Sequence, residues 1–520
     1  MGGKIPHLLL TGVLLAGFPA AGHPQSEEQL EKEGIQALDS KDFQRAQQIF
    51  SLLVKSNPSE TNVAYLAVAE SGVGDLDRAI ADFKRSIKLG NDSVLTRYSL
   101  GATYLRDNQS EAAVRELRLA IAHDSTNVPA RYALGVALLN LKRPHDAIPY
   151  LEYAQAKTAG NQQFWLTLIR AQFEAGNSQA AIKLADQALA SIPDAPSFAA
   201  GVAALCLEHQ QMQKARHLLE TAVELWPKDP QVKLLLAHAC LRTGDPGETL
   251  TALEGLPSES GQPGEMMLLR GEARALLGDF VLARTDLSAA LEASPENAEY
   301  LLASAWLSQI EGRYDEALAI LTKARRLNPE MPDVPYRMAI SYFFLGNYSQ
   351  AVFNSQGAIR LAARYSQAHL LLGLSRLQSG DFRGAEAALG RATALAPRTA
   401  FYHCELGVAL FKRGMLSQSE TELNRAVNLD PGSVPAYFWR ARVRARQGER
   451  VKAIEDLETS VTLDPGFPEA YAALSELYSA EGQTQKAAAA SSQEREIEKT
   501  ANPGAHAQLL LSKELTGPAP

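Results

Sequence analysis

The stretch VLTRYSLGATYLRDNQSEAAVRELRLAIAHDSTN, residues 94–127, is one period of a pattern that fills most of the chain. In its first half Arg97, Leu100, Gly101 and Tyr104 stand at i, i+3, i+4 and i+7, which is one face of a helix. In its second half Ala113, Leu117 and Ala120 form another helical face, of small and medium residues. Between the two lies Asn108, at the place where ten other units carry glycine, from Gly74 to Gly482. A glycine there suits the left-handed residue that ends a helix without steric cost. Proline comes near the end of many units (Pro58, Pro193, Pro227, Pro295, Pro329, Pro397, Pro431, Pro465) and stops the second helix.

Working outward, the same marks return about every 34 residues. Gly34, Ala67, Gly101, Gly135, Ala203, Ala237, Gly271, Ala305, Ala339, Gly373, Gly407 and Ala441 share one position, and a second small position holds Ala46, Ala79, Ala113, Ala147, Ala181 and later equivalents. Two helices joined by a short turn approach closely only where side chains are minimal, and larger residues such as Leu100, Tyr104 and Leu117 fill the space around Gly101. Neither helix can bury its apolar stripe alone, so a period of this length predicts a stacked array stabilised by its neighbours. Units beginning at Glu27, at Glu60 and then every 34 residues to Pro468 number fourteen.

The pattern resembles the tetratricopeptide repeat. Tyr402, Leu406, Gly407, Leu423, Ala426 and Pro431 match that family's signature, as do Trp165, Leu168, Ala181, Ala188 and Pro193, and the turns Gly278-Asp279-Phe280 and Gly346-Asn347-Tyr348 are similar to its turns. The resemblance implies an all-α fold, a right-handed superhelical solenoid of about fourteen helix-turn-helix repeats. It also implies a concave groove lined by the first helix of each unit, and a protein or peptide ligand in that groove.

The chain has 520 residues and a net charge of −8, with no basic excess to hold a nucleic-acid backbone. Met1 to Gly22 has an early Lys4, an apolar run from Leu8 to Phe18 and then small residues, the layout of a secretory signal peptide with His23 as the mature terminus, with an uncleaved anchor or a misread leader as the alternatives. The run is too short to span a bilayer. Residues 27–263 and 264–499 are expected as two blocks of seven repeats, divided where Gly255, Pro257 and a Ser/Gly/Pro-rich stretch to Gly264 shorten a second helix into a weak joint. Ser491–Lys499 reads as a capping helix, and 500–520 as a flexible tail whose Leu509, Leu510 and Leu511 could dock on the array. Cys206, Cys240 and Cys404 are too few for a disulfide framework and read as small core residues, with a Cys206–Cys240 bridge as the alternative.

No catalytic signature stands in its required context. The ten histidines are scattered, and His-Glu-x-x-His, the phosphate-loop motif, Gly-x-Ser-x-Gly and Cys-x-x-Cys are all missing from the sequence. No enzyme activity, cofactor or metal is therefore expected. Two constellations remain. Arg442 and Arg446, at i and i+4, share a face that the resemblance turns into the groove; they suit an acidic side chain or a terminal carboxylate, or else pair with Glu455 and Glu458. An apolar stripe occupies the groove-facing marks: Tyr98, Tyr132, Leu166, Leu234, Leu268, Leu302, Trp306, Tyr336, Phe343, Phe344, Leu370, Leu374, Phe411 and Phe438. Either it packs against the next repeat or part of it is an open patch that calls for a partner. If it is open, replacing Trp306 and Phe343 with alanine should weaken binding and leave the melting curve little changed.

These readings converge on a non-catalytic protein-interaction scaffold, monomeric, exported to the periplasm or secreted, and serving a bacterial cell envelope. Alternatives are an accessory subunit of an exopolysaccharide, pilus or secretion machine, and a regulatory module of a separately encoded enzyme.

Overall fold

The computed structural model describes residues 26–500, apart from 159, 194, 258–260 and 263. The leader expected over 1–22, the tail expected beyond Thr500 and part of the 255–264 joint lie outside the described residues. Among those described there are 28 α-helices and no strand. They alternate as the first and second helices of the repeat units, from Glu27–Asp39 with Phe43–Ser56 to Pro468–Ala480 with Thr484–Thr500. The all-α, repeat-built fold read from the sequence is the fold observed.

Local chemistry sets the helix ends. Ser59, Ser93, Asn127, Asp229 and Asn297 each accept a backbone N–H from the first turn of the helix they precede. At the sharp turn inside each unit one residue is left-handed: glycine in ten units, and Lys41, Asn108, Lys142 and Gln210 in the other four, at φ 57° to 61°. Asn108 thus takes the role glycine has elsewhere. An aspartate or asparagine often follows and caps the second helix, as Asp279 does for the N–H of Leu282 at 3.4 Å.

The small marks sit where the two helices of a unit cross. A Cβ added at Gly101 would lie 2.6 Å from Leu117 Cγ, and one at Gly135 would lie 2.5 Å from Leu151 Cγ. Ser419 replaces the usual alanine and stays buried because its hydroxyl donates to the Gly407 carbonyl at 2.7 Å.

The chain divides into two compact units, residues 1–214 and 215–520, with the division inside the helix Met212–Leu225. In the first, Leu100, Tyr104, Leu117, Leu134, Leu138 and Leu151 belong to one continuous core that passes from repeat to repeat. In the second, the helix Pro246–Leu253 is cut to 8 residues, as its glycine and proline require, and the next begins at Glu265. One apolar core joins Leu234 and Leu241 through Ala252 and Leu253 to Met266, Leu269 and Ala273, so the shortened helix still bridges its neighbours. The helix Thr484–Thr500 continues the last repeat as a cap, with Ala487 and Ala490 in the terminal core and most of its remaining surface exposed.

All three cysteines are free and buried. Burial pushes the Cys206 and Cys240 thiols up to about 11 and the Cys404 thiol well above its ordinary value, so they act as packing residues.

Candidate partner-binding groove

In the second unit the first helices of successive repeats line a cavity of about 360 Å³. Its wall combines Leu241 and Arg242, Leu268, Glu272 and Leu276, Glu299, Leu302 and Trp306, and Met331, Asp333 and Arg337. The helices Pro230–Arg242, Glu265–Leu276, Ala298–Ile310 and Asp333–Phe344 each contribute. Because the repeat length is constant, equivalent positions return to the same side. Glu272, Trp306, Ile340, Leu374, Val408 and Arg442 are one such series at the 34-residue spacing.

Charge in the cavity is arranged in depth. Arg337 is 2% exposed, and its carbonyl accepts the Gln309 amide at 2.6 Å, while its guanidinium reaches the Gln309 side-chain oxygen at 3.5 Å. Burial lowers its pKa from the ordinary arginine value, opposed by the nearby Tyr336, Tyr365, Asp333 and Glu272. Asp333 is half-buried and accepts the Tyr365 hydroxyl. Arg242 and Glu299 are exposed. Glu272 is half-buried, and burial pushes its carboxyl up to about 7, drawn down by His238, Arg242 and Arg337 and raised by Glu299. Among the described residues no three His, Cys, Asp or Glu side chains gather as a metal ion would require. No described helix is long and apolar enough to cross a membrane.

The stripe expected to line the groove is mostly interior. Leu234, Trp306, Tyr336, Phe343, Leu370, Leu374, Phe411 and Phe438 are buried, whereas Tyr98, Tyr132, Leu166, Leu268, Leu302 and Phe344 are half-buried. Tyr336, Phe343, Leu370 and Leu374 share one core, Phe411 another and Phe438 a third. A first helix packs on its own partner and on the adjoining repeats, which buries the aromatic members near the second unit's centre and leaves Leu268 and Leu302 partly open to the cavity. The alanine test at Trp306 and Phe343 changes meaning too, because emptying buried aromatic sites costs about 3–5 kcal/mol each. Trp306 nonetheless lines the cavity, beside half-buried Leu268, Leu276 and Leu302.

Arg442 and Arg446 are exposed. They do not pair with Glu455 or Glu458 as one reading held; Arg442 lies over the Phe438 ring at 5.8 Å and Arg446 over the Phe411 ring at 4.3 Å. Their neighbours Arg440 and Arg444 are the structural pair, both bound to Asp456. The charged group around Glu272 was not singled out in the sequence. Superposing the units at their constant spacing does not single it out, because the same mark also carries Arg170, His238, Arg442 and Glu476.

The first unit has a separate groove cavity of about 530 Å³, lined among others by Tyr132, Asn140, Gln163, Thr167, Arg170 and Glu174. Its aromatic wall is fixed by Tyr132, which stacks on Phe164 at 4.0 Å and hydrogen-bonds Thr167 at 2.9 Å.

Comparison with known proteins agrees with this architecture. A search of curated proteins gave no match. Among solved structures, a chain of the APC/C hetero-tetramer Cut9–Hcn1 aligns over 87% of this chain and 96% of its own length, at 16% identity and a TM-score of 0.46. MamA aligns over 31% of this chain and 95% of its own, at 23% identity and a TM-score of 0.29. MamA 41-end from Desulfovibrio magneticus RS-1 aligns over 32% and 95%, at 23% identity and a TM-score of 0.31. At TM-scores this low the likenesses carry nothing about partner or activity. Two family models, each described as tetratricopeptide repeat, match the sequence directly. One covers residues 138–205, 207–267 and 310–353, and the other covers 98–162, 370–434 and 404–468. With matches in both compact units and over more than half of its length, the chain belongs to the tetratricopeptide-repeat family.

Proposed function

We propose that this chain is a non-catalytic scaffold of a bacterial cell envelope, which holds a segment of a partner protein against the first helices of residues 215–520. The observation that carries the reading is the cavity around Glu272, Leu302 and Trp306, built from four successive first helices. The exposed Arg442 and Arg446 on a later first helix support it, since each keeps its charge available over an aromatic ring. Export rests on the leader-like layout of Met1–Gly22.

Leu302 gives a cleaner test than the buried aromatics, because it is only half-buried and lines the cavity. Leu302→Asp should abolish co-purification of the partner from native envelopes while shifting the melting midpoint little. Val281→Asp, on a second helix at a side chain 78% exposed, should leave co-purification intact. Mass spectrometry of the envelope-derived protein should read His23 as its first residue. Equal retention of the partner by both variants would remove the groove from the account, and an intact Met1 on cytosolic protein would remove the export.

A further inference from the structure

Among the described residues of the cavity wall, the carboxylates of half-buried Glu272 and exposed Glu299 have no side-chain partner, and Glu272 is the more deeply set of the two. It makes no hydrogen bond or ion pair to another described residue; Arg242, Arg337 and His238 act on it only through longer-range attraction. Each of those side chains has its own place. Arg337 is buried beside Gln309, His238 meets Glu265 at 2.9 Å, and Arg242 is exposed. Glu299 and Asp333 add negative potential to the same cavity. The remaining wall is hydrocarbon and indole: Leu268, Leu276, Leu302 and Trp306.

A half-buried carboxylate in a wall that also carries Leu268, Leu276, Leu302 and Trp306 is complementary to a long side chain with an apolar stem and a cationic head. We infer that the cavity receives a lysine or arginine side chain of the partner segment, with its head on the Glu272 carboxylate and its stem along Leu268, Leu276, Leu302 and Trp306. The inference rests on the groove reading above and deepens it: it names the residue class that the groove selects. The cavity volume of about 360 Å³ leaves room for one such side chain with its flanking backbone. The opposite polarity, a carboxylate held by Arg242 and Arg337, is disfavoured by geometry. Arg337 is almost wholly buried and already engaged with Gln309, while three carboxylates line the same wall.

Binding should also respond to pH. The Glu272 carboxyl titrates at about 7, so its negative charge is largely absent at pH 5.5 and largely present at pH 8. A lysine or arginine head does not titrate across that interval. The groups facing Glu272 are His238, Arg242, Arg337 and Glu299, with Asp333 on the same wall. The isosteric Glu272→Gln variant isolates the Glu272 share of the response.

The test uses the full chain and fluorescein-labelled peptides of sequence acetyl-Ala-Leu-X-Leu-Ala-amide, with X as arginine, lysine, citrulline or glutamate, read by fluorescence anisotropy. Arginine and lysine peptides should bind at least tenfold more tightly than the citrulline peptide at pH 8. Their affinity should drop severalfold at pH 5.5. Glu272→Gln should lose most of the preference and most of the pH response, with a melting midpoint at pH 8 no lower than that of the unsubstituted chain. Equal binding of arginine and citrulline, or a preference that persists in Glu272→Gln, would overturn the cationic anchor and leave the groove to be judged by the Leu302→Asp capture. Preference for the glutamate peptide would assign the cavity the opposite polarity. No binding by any peptide would also overturn the anchor, again without deciding the capture experiment.

Discussion

Glu70 and Asp82 occupy positions that elsewhere in the chain hold an ion pair. At the same spacing, later units have Arg274 with Asp286 at 2.5 Å and Arg444 with Asp456 at 2.8 Å. Here the arginine is replaced by an acid. Glu70 is 5% exposed and its Oε2 has no hydrogen-bond partner. Burial first, then Asp82 and Asp75, push its carboxyl up to about 7 against the pull of Arg78, and burial raises Asp82 as well. A carboxyl whose folded pKa lies above its ordinary 4.5 binds its proton more tightly in the folded state. Its contribution is therefore fully present below pH 4.5 and lost as pH rises through about 7. Thermal melts followed by circular dichroism should show the first repeats weakening between pH 5.5 and 8. Glu70→Gln should flatten that profile and stabilise the protein at pH 8 by up to about 3 kcal/mol. Glu70→Arg should restore the pair seen at Arg274 and raise the midpoint further. A wild-type profile that is flat, or that rises with pH, would contradict this reading of the slot.

At the scale of the helix pair, the close approach at the crossing is a volume rule shared between two positions. Gly135 faces Leu151, whose Cγ would stand 2.5 Å from an added Cβ. One unit later the same two positions hold Ile169 and Ala185, both fully buried, so the large and small partners have exchanged sides. Gly135→Ile alone should overpack the crossing and destabilise by about 1–3 kcal/mol, and Leu151→Ala alone should leave a cavity worth about 2–5 kcal/mol. The double variant reproduces the Ile169/Ala185 solution and should recover most of the combined loss. A double-mutant cycle in urea measures this, and strictly additive costs would mean that the two positions do not share one space.

The same rule explains what was legible in the sequence. Small marks such as Gly101, turn residues such as Gly278 and stops such as Pro329 each have one steric cause, so they announced helix, turn and repeat from the letters alone. The unit with Ile169 broke the small-residue series because its compensation lies sixteen residues away, at Ala185. The faces of the first helices were harder to read. Tyr336, Phe343 and Leu370 lie on helices apolar around much of their circumference, and periodicity does not separate a side that meets the groove from one that meets the next repeat. Burial settles that question only after stacking is known. The cavity needs even more: Glu272, Glu299 and Asp333 come from three different units and acquire a common chemistry only in space.

For the whole molecule, two compact units each carry a groove cavity with its own lining, polar in residues 1–214 and mixed apolar and charged in 215–520. A solenoid of this family works by presenting such surfaces on a rigid stack, and the function proposed here places the partner on first helices and leaves second helices to solvent. Site-specific photocrosslinking resolves that difference directly. A benzoylphenylalanine placed at Leu276 or Leu302 lines the cavity, whereas one at Val281 or Phe353, 78% and 58% exposed, stands on second helices. In native envelopes the account predicts crosslinks to a single partner segment, with a lysine or arginine beside the attachment point, from Leu276 and Leu302 and none from Val281 or Phe353. Crosslinks arising only from the second-helix positions, or equally from both sets, would contradict it.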